Sequence, residues 1–214
     1  MEKKRIAFIT SGLSVGGAEK QLAMLARGLK SQGYETLLIS LTKPPQGKYV
    51  AELAGLNVIF VEMSTFFSLV KGVFRIRKIF AELKPDYVHG WMFAGNIIAS
   101  LVGLMFGYKF FHSIRASNMD QKRYRFQIFF NRLFSYFALA VISNSYRGAE
   151  YCVSAGFSKK NMLVIPNGIN TEEFYKCEAE GLEIRKSLGI DQNACVLLYA
   201  ARVDPMKGHD LILS

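Results

Sequence analysis

Short apolar runs alternate along this chain with longer segments in which apolar residues recur every three or four positions. The runs predict β-strands buried on both faces, and the longer segments predict amphipathic helices. The predicted strands are residues 5–10, 35–41, 58–61, 87–89, 109–114, 140–143 and 162–165. The predicted helices are residues 18–32, 69–83, 93–106, 123–137 and 147–154.

This alternation predicts an α/β fold, a Rossmann-like doubly wound domain with a parallel sheet. A polar stretch at residues 170–180 has the character of a linker, and a further helix (182–188) and strand (196–201) follow it. We therefore expect residues 1–178 to form an N-terminal domain. We expect residues 179–214 to be the beginning of a second, truncated Rossmann-like domain.

One uncharged segment is nearly long enough to be a transmembrane helix. Residues 90–108 carry no charge and nearly reach the ~20 residues that cross a bilayer. Gly95, Asn96 and Ser100 interrupt the segment, and predicted strands of the same sheet flank it. We expect a buried helix that packs on the sheet and ends at Gly107.

Charge is distributed unevenly between the two parts of the chain. Residues 1–165 contain 22 Lys and Arg against 9 Asp and Glu, a net charge of +13, whereas residues 166–214 carry a net charge of −3. Such an excess attracts phosphates, anionic membranes or nucleic acid. We see no nucleic-acid motif and no aromatic platform on a strand, so nucleic acid is not an expected partner. Three widely spaced cysteines favour a reducing, cytoplasmic compartment and no metal site.

Two segments combine basic and aromatic residues. Lys71, Arg75 and Lys78 share one face of the predicted helix 69–83, an arrangement typical of interfacial helices. The second cluster, before an aromatic stretch at residues 126–134, is Lys122, Arg123 and Arg125. An anionic membrane surface is therefore an expected partner, held by salt-sensitive charge, at the inner face of the plasma membrane. The alternative is that both helices pack on the sheet with solvated basic faces.

Two loops that follow strands and precede helices are candidate phosphate sites. In the first, Gly16 and Gly17 allow a ligand to approach backbone N–H groups at a helix start. In the second, Arg202 and Lys207 lie five residues apart, so both side chains could reach one diphosphate. The alternatives are a tight glycine turn that binds nothing and a solvated charged turn.

Three stretches on these elements occur together: FITSGLSVGGAEKQLAMLARGL at 8–29, VISNSYRGAEYCVSAGFSKKNMLVIPNGINTEEF at 141–174, and LLYAARVDPMKGHDLIL at 197–213. Together they resemble the family 4 glycosyltransferases, retaining enzymes of the GT-B fold. The resemblance implies a nucleotide-sugar donor held between two Rossmann-like domains, with no further cofactor. It assigns the donor diphosphate to Arg202 and Lys207, and it places Gly16 and Gly17 over the phosphates or the acceptor. It makes residues 166–168 the start of an interdomain hinge.

The sequence departs from the family pattern at two places. Members carry a histidine near the reacting sugar, and here the stretch FFHSIRAS offers His112 and Arg115 as catalytic candidates. By strand register Arg115 lies at the family position, and His112 is expected to be a buried, hydrogen-bonded core residue. The paired glutamates of the family, spaced E-x(7)-E, are expected beyond residue 214. We therefore expect little or no transferase activity from these 214 residues alone.

The resemblance leaves three functions open. The first is transfer of a hexose or N-acetylhexosamine from a nucleotide sugar to a cell-envelope glycan or lipid-linked acceptor. The second is a sugar-nucleotide epimerase of the same fold. The third is a degenerate domain that binds a nucleotide sugar or a partner without turnover.

Overall fold

The computed structural model describes residues 4–14, 16–45, 53–63, 65–115, 124–201, 203 and 207–213. Contacts within the chain divide it into two units. We call Met1–Gly168 unit 1 and Ile169–Ser214 unit 2, and each is described by itself. The assignment of residues 1–178 and 179–214 to two domains stays a prediction.

Unit 1 alternates strands and helices as the sequence predicts, with ends shifted by a few residues. Its strands are β1 Arg5–Thr10, β2 Glu35–Ser40, β3 Val58–Phe60, β4 Tyr87–Trp91, β5 Phe110–Ile114, β6 Val141–Ser143 and β7 Met162–Val164. Its described helices are α1 Gly17–Ser31, α2 Phe66–Leu83, α3 Met92–Phe106, α4 Arg125–Ser135 and α5 Tyr146–Ser154. Each strand and helix predicted within residues 1–165 is confirmed.

The seven strands form one sheet in the order β3-β2-β1-β4-β5-β6-β7, and every pairing is parallel. The strand order reverses direction between β1 and β4. In open α/β sheets, ligands bind at the carboxyl ends of the strands beside such a reversal. The expected doubly wound, Rossmann-like fold is confirmed, and this edge is where the candidate residues converge.

Successive residues of a strand point to opposite faces of the sheet, so each buried strand contributes to two cores. Ile9 and Ile39 pack in the larger cluster, together with Ile76 and Phe80 of α2. On the other face, Phe8 packs in a smaller cluster that includes residues of α1. The sheet is thus buried from both sides, which explains why its strands read as continuous apolar runs.

Helix α3 lies very close to the sheet because it carries glycine where a side chain would collide. A Cβ added at Gly95 would lie 2.2 Å from the Ile9 carbonyl oxygen, and one added at Gly103 would lie 2.4 Å from the Phe110 ring. The helix ends at Gly107, which has a φ of 79°. The predicted buried helix is confirmed. Among the described helices, none is both long and apolar enough to cross a membrane.

Unit 2 contains two described helices, α6 Glu178–Ser187 and α7 His209–Leu213. Helix α6 confirms the helix predicted at 182–188, with an earlier start. The strand predicted at 196–201 is wrong, because these residues form no strand, and Leu197 and Leu198 are 93% and 88% exposed. An extended apolar segment becomes a strand only when a neighbouring strand accepts its hydrogen bonds, and the described part of unit 2 supplies none.

Candidate functional site

The first candidate loop lies where β1 passes into α1. Gly16 is the N-cap residue, with extended backbone and no side-chain cap, and its carbonyl accepts the Lys20 N–H at 3.0 Å. A Cβ on Gly16 would lie 2.3 Å from the Glu19 carboxylate, whereas one on Gly17 would meet nothing within 4 Å. The Glu19 carboxylate therefore lies beside the positive end of the α1 dipole, and an anionic ligand arriving there would have to displace it.

Trp91 connects this helix start to the neighbouring strand. Its indole Nε1–H, at the end of β4, donates to the carbonyl of Ala18 in the first turn of α1 at 2.9 Å. The ring is almost fully buried. The next residue, Met92, has a φ of 63°, a left-handed conformation that side chains rarely adopt. The carboxyl end of β4 is thus fixed against α1 at the point where the strand order reverses.

Arg115 places a positive charge at this edge of the sheet. It follows β5, and its Cζ lies 3.8 Å from the centroid of the Trp91 ring, a cation–π contact. Partial burial lowers the pKa of Arg115 to about 10, so the group remains charged at neutral pH. Its Nε has no hydrogen-bond partner among the described residues. A charged donor group thus lies at the strand ends with hydrogen-bonding capacity to spare.

The turn at residues 166–168 is held to this edge from two directions. Arg115 Nη1–H donates to Asn167 Oδ1 at 3.0 Å. The Gln21 side chain of α1 pairs twice with Gly168, donating to its carbonyl at 2.7 Å and accepting its N–H at 3.1 Å. These contacts attach the last residues of unit 1 to β5 and α1. The assignment of this turn as a hinge stays a prediction.

Beneath Arg115 lies a buried histidine that the sequence did not single out. His89 Nε2 is hydrogen-bonded to Ser113 Oγ at 2.8 Å, and Arg115 Nη2 donates to the same oxygen at 3.4 Å. Burial, and then the charge of Arg115, lower the pKa of His89 to about 3. His89 is therefore neutral at physiological pH and supports Ser113 and Arg115 from below.

His112 is fully buried, and its Nε2 is 2.7 Å from Ser100 Oγ. Ser100 uses its single hydroxyl hydrogen for the Asn96 carbonyl at 2.8 Å, so His112 is the donor in their contact. Burial lowers the pKa of His112 to about 3. The expectation of a buried, hydrogen-bonded core residue is confirmed. Its catalytic role stays a prediction, and its neutral, buried state gives it no path for a proton.

A cavity of about 420 Å³ opens at the carboxyl ends of β1, β4 and β5. Its walls are largely apolar, with Met92, Phe93 and Ile114 among them, and Arg115 supplies its charge. Ser11 lies at the β1 side. A second cavity, of about 510 Å³, lies on the α1 side of the sheet, and Arg115 lines it as well. Arg115 is thus common to both cavities of the strand edge.

The second predicted phosphate site lies in unit 2. Lys207 is exposed there, and Arg202 lies outside the described residues. The structure therefore gives no geometry for the pair. The donor-binding roles of Gly16, Gly17, Arg202 and Lys207 stay predictions.

The sequence matches the family model described as Glycosyltransferase Family 4 over residues 15–173. The match covers well over half of the chain. The protein belongs to glycosyltransferase family 4. None of the curated proteins matches the sequence significantly.

Solved structures with the same fold include glycosyltransferases of the GT-B class. The HepE protein of Anabaena, in complex with UDP, matches with a TM-score of 0.82 at 17% identity, over 98% of this chain and 56% of its own. Sucrose-phosphate synthase of Thermosynechococcus elongatus matches with a TM-score of 0.74 at 15% identity, over 95% and 57%. This chain therefore spans a little over half the length of these proteins.

A sugar-nucleotide epimerase is a more distant neighbour. The UDP-GlcNAc 2-epimerase of Methanocaldococcus jannaschii matches with a TM-score of 0.55 at 14% identity, over 76% of this chain and 45% of its own. At these identities the likeness shows the fold alone. The fold is that of a GT-B enzyme, and a fold by itself does not determine the substrates.

Proposed function

We propose that this family 4 glycosyltransferase transfers a hexose or N-acetylhexosamine from a nucleotide sugar to a cell-envelope glycan or lipid-linked acceptor. The cavity at the ends of β1, β4 and β5 is the main support for this proposal. Arg115, held against Trp91, lines it together with the start of α1 and several apolar side chains. Its apolar walls suit the hydrophobic part of an acceptor, and Arg115 suits the charge that develops on a departing diphosphate.

The donor is proposed from the structural neighbours. HepE has been solved with UDP and also with UDP-glucose, so UDP-sugars are the first donors to test. The remaining donor contacts are assigned, as the family resemblance implies, to Arg202, Lys207, Gly16 and Gly17. We further propose that residues 1–214 alone have little turnover, since they span only 56% of HepE and residues 196–201 form no strand.

We propose that the protein acts at the cytoplasmic face of the plasma membrane. Lys71, Arg75 and Lys78 are exposed on α2, which supports attraction to an anionic surface. Of the second basic cluster, Lys122 and Arg123 lie outside the described residues, and Arg125 is exposed.

The test is transfer from labelled UDP-sugars to a bacterial membrane-lipid extract, by protein expressed from its complete gene. Arg115→Ala should lower kcat/KM roughly a hundredfold, since one lost donor to transition-state charge costs about that much. Arg147→Ala, an exposed arginine on α5, is the matched control and should be unchanged.

Other products would decide for the other functions. Conversion of the donor to a second free nucleotide sugar, without any acceptor, would establish an epimerase. Binding of UDP without conversion of any donor would establish a non-catalytic domain. Equal kcat/KM in the Arg115 and Arg147 variants would remove Arg115 from the reaction.

A further inference from the structure

The outward side of α4 is apolar where a solvated helix would carry charge. Phe126, Phe130 and Leu133 recur at spacings of four and three residues, so they form one line along the helix. They are 65%, 42% and 44% exposed. No acidic residue occurs in α4.

The orientation of α4 is fixed by its opposite side. Asn131 is fully buried, donates to the carbonyls of Phe93 and Gln127, and accepts from Asn96 Nδ2 at 3.0 Å. Rotating α4 to bury its aromatic line would break this buried amide network, which is costly. The exposure of the phenylalanines is therefore imposed by the fold.

Helices α2 and α3, in the same layer as α4, also expose large apolar side chains. Helix α3 contacts both α2 and α4, and the rings of Phe74 and Phe106 lie 6.3 Å apart where α2 meets α3. Large apolar side chains are exposed on all three helices. We call the following residues the aromatic face: Phe67, Phe74, Leu104, Phe126, Phe130 and Leu133. A surface of this kind marks an interaction site.

The charge on these helices is predominantly positive. Helices α2, α3 and α4 together contain six Lys and Arg and one acidic residue, Glu82. On α4, the guanidinium of Arg125 lies 4.7 Å from the Phe126 ring centre and that of Arg132 lies 5.9 Å from that of Phe129. Both arginines line a groove of about 420 Å³ between α4 and α5. Cations beside aromatic rings match the headgroup level of a membrane, with phosphates outside and acyl chains within.

We propose that the aromatic face inserts into the interfacial layer of an anionic lipid bilayer, with Arg125 and Arg132 contacting lipid phosphates. A second copy of the chain suits the face less well, because a two-fold interface would bring the same cationic surface against itself. The inference deepens the proposed membrane location and rests on the proposed function for its purpose. Tyr124, just before α4, and Gln127, in its first turn, line the same cavity as Arg115. Docking of the aromatic face therefore brings that cavity close to lipid-linked acceptors.

Apolar insertion and charge attraction differ in their response to salt. Charge alone is screened over about 3 Å at 1 M salt, so a purely electrostatic complex dissociates. Apolar burial does not weaken with salt. The wild-type chain should sediment with phosphatidylcholine vesicles that contain phosphatidylglycerol, and a fraction should remain bound at about 1 M NaCl.

Removal of two rings tests the face directly. The double variant Phe126→Ser, Phe130→Ser should bind about tenfold to a hundredfold more weakly and be released completely by salt. The matched control is Phe174→Ser with Tyr175→Ser, two exposed rings of unit 2 that are 52% and 67% exposed. It should bind as the wild type does. No donor or acceptor is present, so the result does not depend on the proposed reaction.

A tryptophan at the face reports insertion. Trp91 is the only tryptophan of the chain and is buried, so its emission reports that each variant is folded. In the Phe130→Trp variant, the fluorescence emission of the new tryptophan should shift to the blue on anionic vesicles. Brominated lipid should quench that emission. Complete release of the wild type by salt, absence of quenching, or equal binding of the two double variants would overturn the proposal. Dimerisation that the Phe126, Phe130 variant abolishes, without vesicle binding, would also overturn it and assign the face to a second copy.

Discussion

Units 1 and 2 have similar sequence patterns and reach different structures. Residues 5–10 and residues 196–201 are both apolar runs that lead into glycine-containing loops. The first is the strand β1, paired on both sides by β2 and β4. The second pairs with nothing in the described part of unit 2, where no residue is buried. Apolar pattern alone therefore does not make a strand, since each strand depends on its neighbours for hydrogen bonds and cover.

The difference predicts very unequal protection of the backbone. Amides of β1 and β4 should exchange with solvent roughly a thousandfold more slowly than those of 196–201, which have no strand partners among the described residues. Hydrogen exchange followed by mass spectrometry measures both in one sample. Limited proteolysis should give its first cuts within unit 2. Equal protection of β1 and 196–201 would show that unit 2 acquires partners in solution.

Substitution of one glycine in each unit tests the difference in packing between the units. Gly95→Ala should destabilise unit 1 by about 3 kcal/mol or more, because the new Cβ would overlap the Ile9 carbonyl and neither backbone can easily yield. Gly181, inside α6, has nothing within 4 Å of its Cβ position. Gly181→Ala should leave the stability of unit 1 unchanged. It should stabilise the helical state of α6 by up to about 1 kcal/mol.

Urea unfolding followed by circular dichroism measures both variants. The informative result is the difference between them, since the chemical change is the same. A Gly95→Ala protein as stable as the wild type would mean that α3 can move away from β1. In that case the close packing of α3 would not be needed for the fold.

The sequence predicted the elements of unit 1 because their signals are local. A strand of continuous apolar residues and a helix that ends at Gly107 are visible in short windows of sequence. The failure at 196–201 has a physical cause, because the pairing partner of a strand lies elsewhere in the chain. Local patterns therefore predict what a segment can form, and long-range contacts decide whether it forms.

Only the part of the candidate site that depends on local sequence was predicted. Strand register predicted His112 inside the strand, where it is buried. Arg115 follows the strand, and its assignment to the family position stays a prediction. The contacts of Arg115 with Trp91 and Asn167 were not predicted, although the only tryptophan of the chain, at the end of a strand, was a usable signal. The pairing of Gln21 with Gly168 spans 147 residues. No local pattern encodes contacts of that length.

Acid should weaken unit 1 through its two buried histidines. His89 and His112 are neutral in the folded state, with pKa values of about 3, against about 6.5 in an unfolded chain. Because the unfolded chain takes up protons first as the pH falls, their stabilising contribution is complete above about pH 6.5 and is lost progressively between pH 6.5 and 3. Each histidine should cost about 1.4 kcal/mol of unfolding free energy at pH 5.5.

Urea unfolding at pH 7 and at pH 5.5 measures the loss of stability in each variant. Comparison of variants separates the contribution of the buried histidines from the titration of carboxylates and surface groups. His112→Asn keeps a polar side chain beside Ser100 and removes the titrating ring, so its stability should fall by about 1.3 kcal/mol less than that of the wild type between the two pH values. His209→Asn, in unit 2, is the matched control and should follow the wild type. If His112→Asn and the wild type lose the same free energy, His112 is not buried as a neutral ring, and its place in the polar network with Ser100 and Asn96 would have to be abandoned.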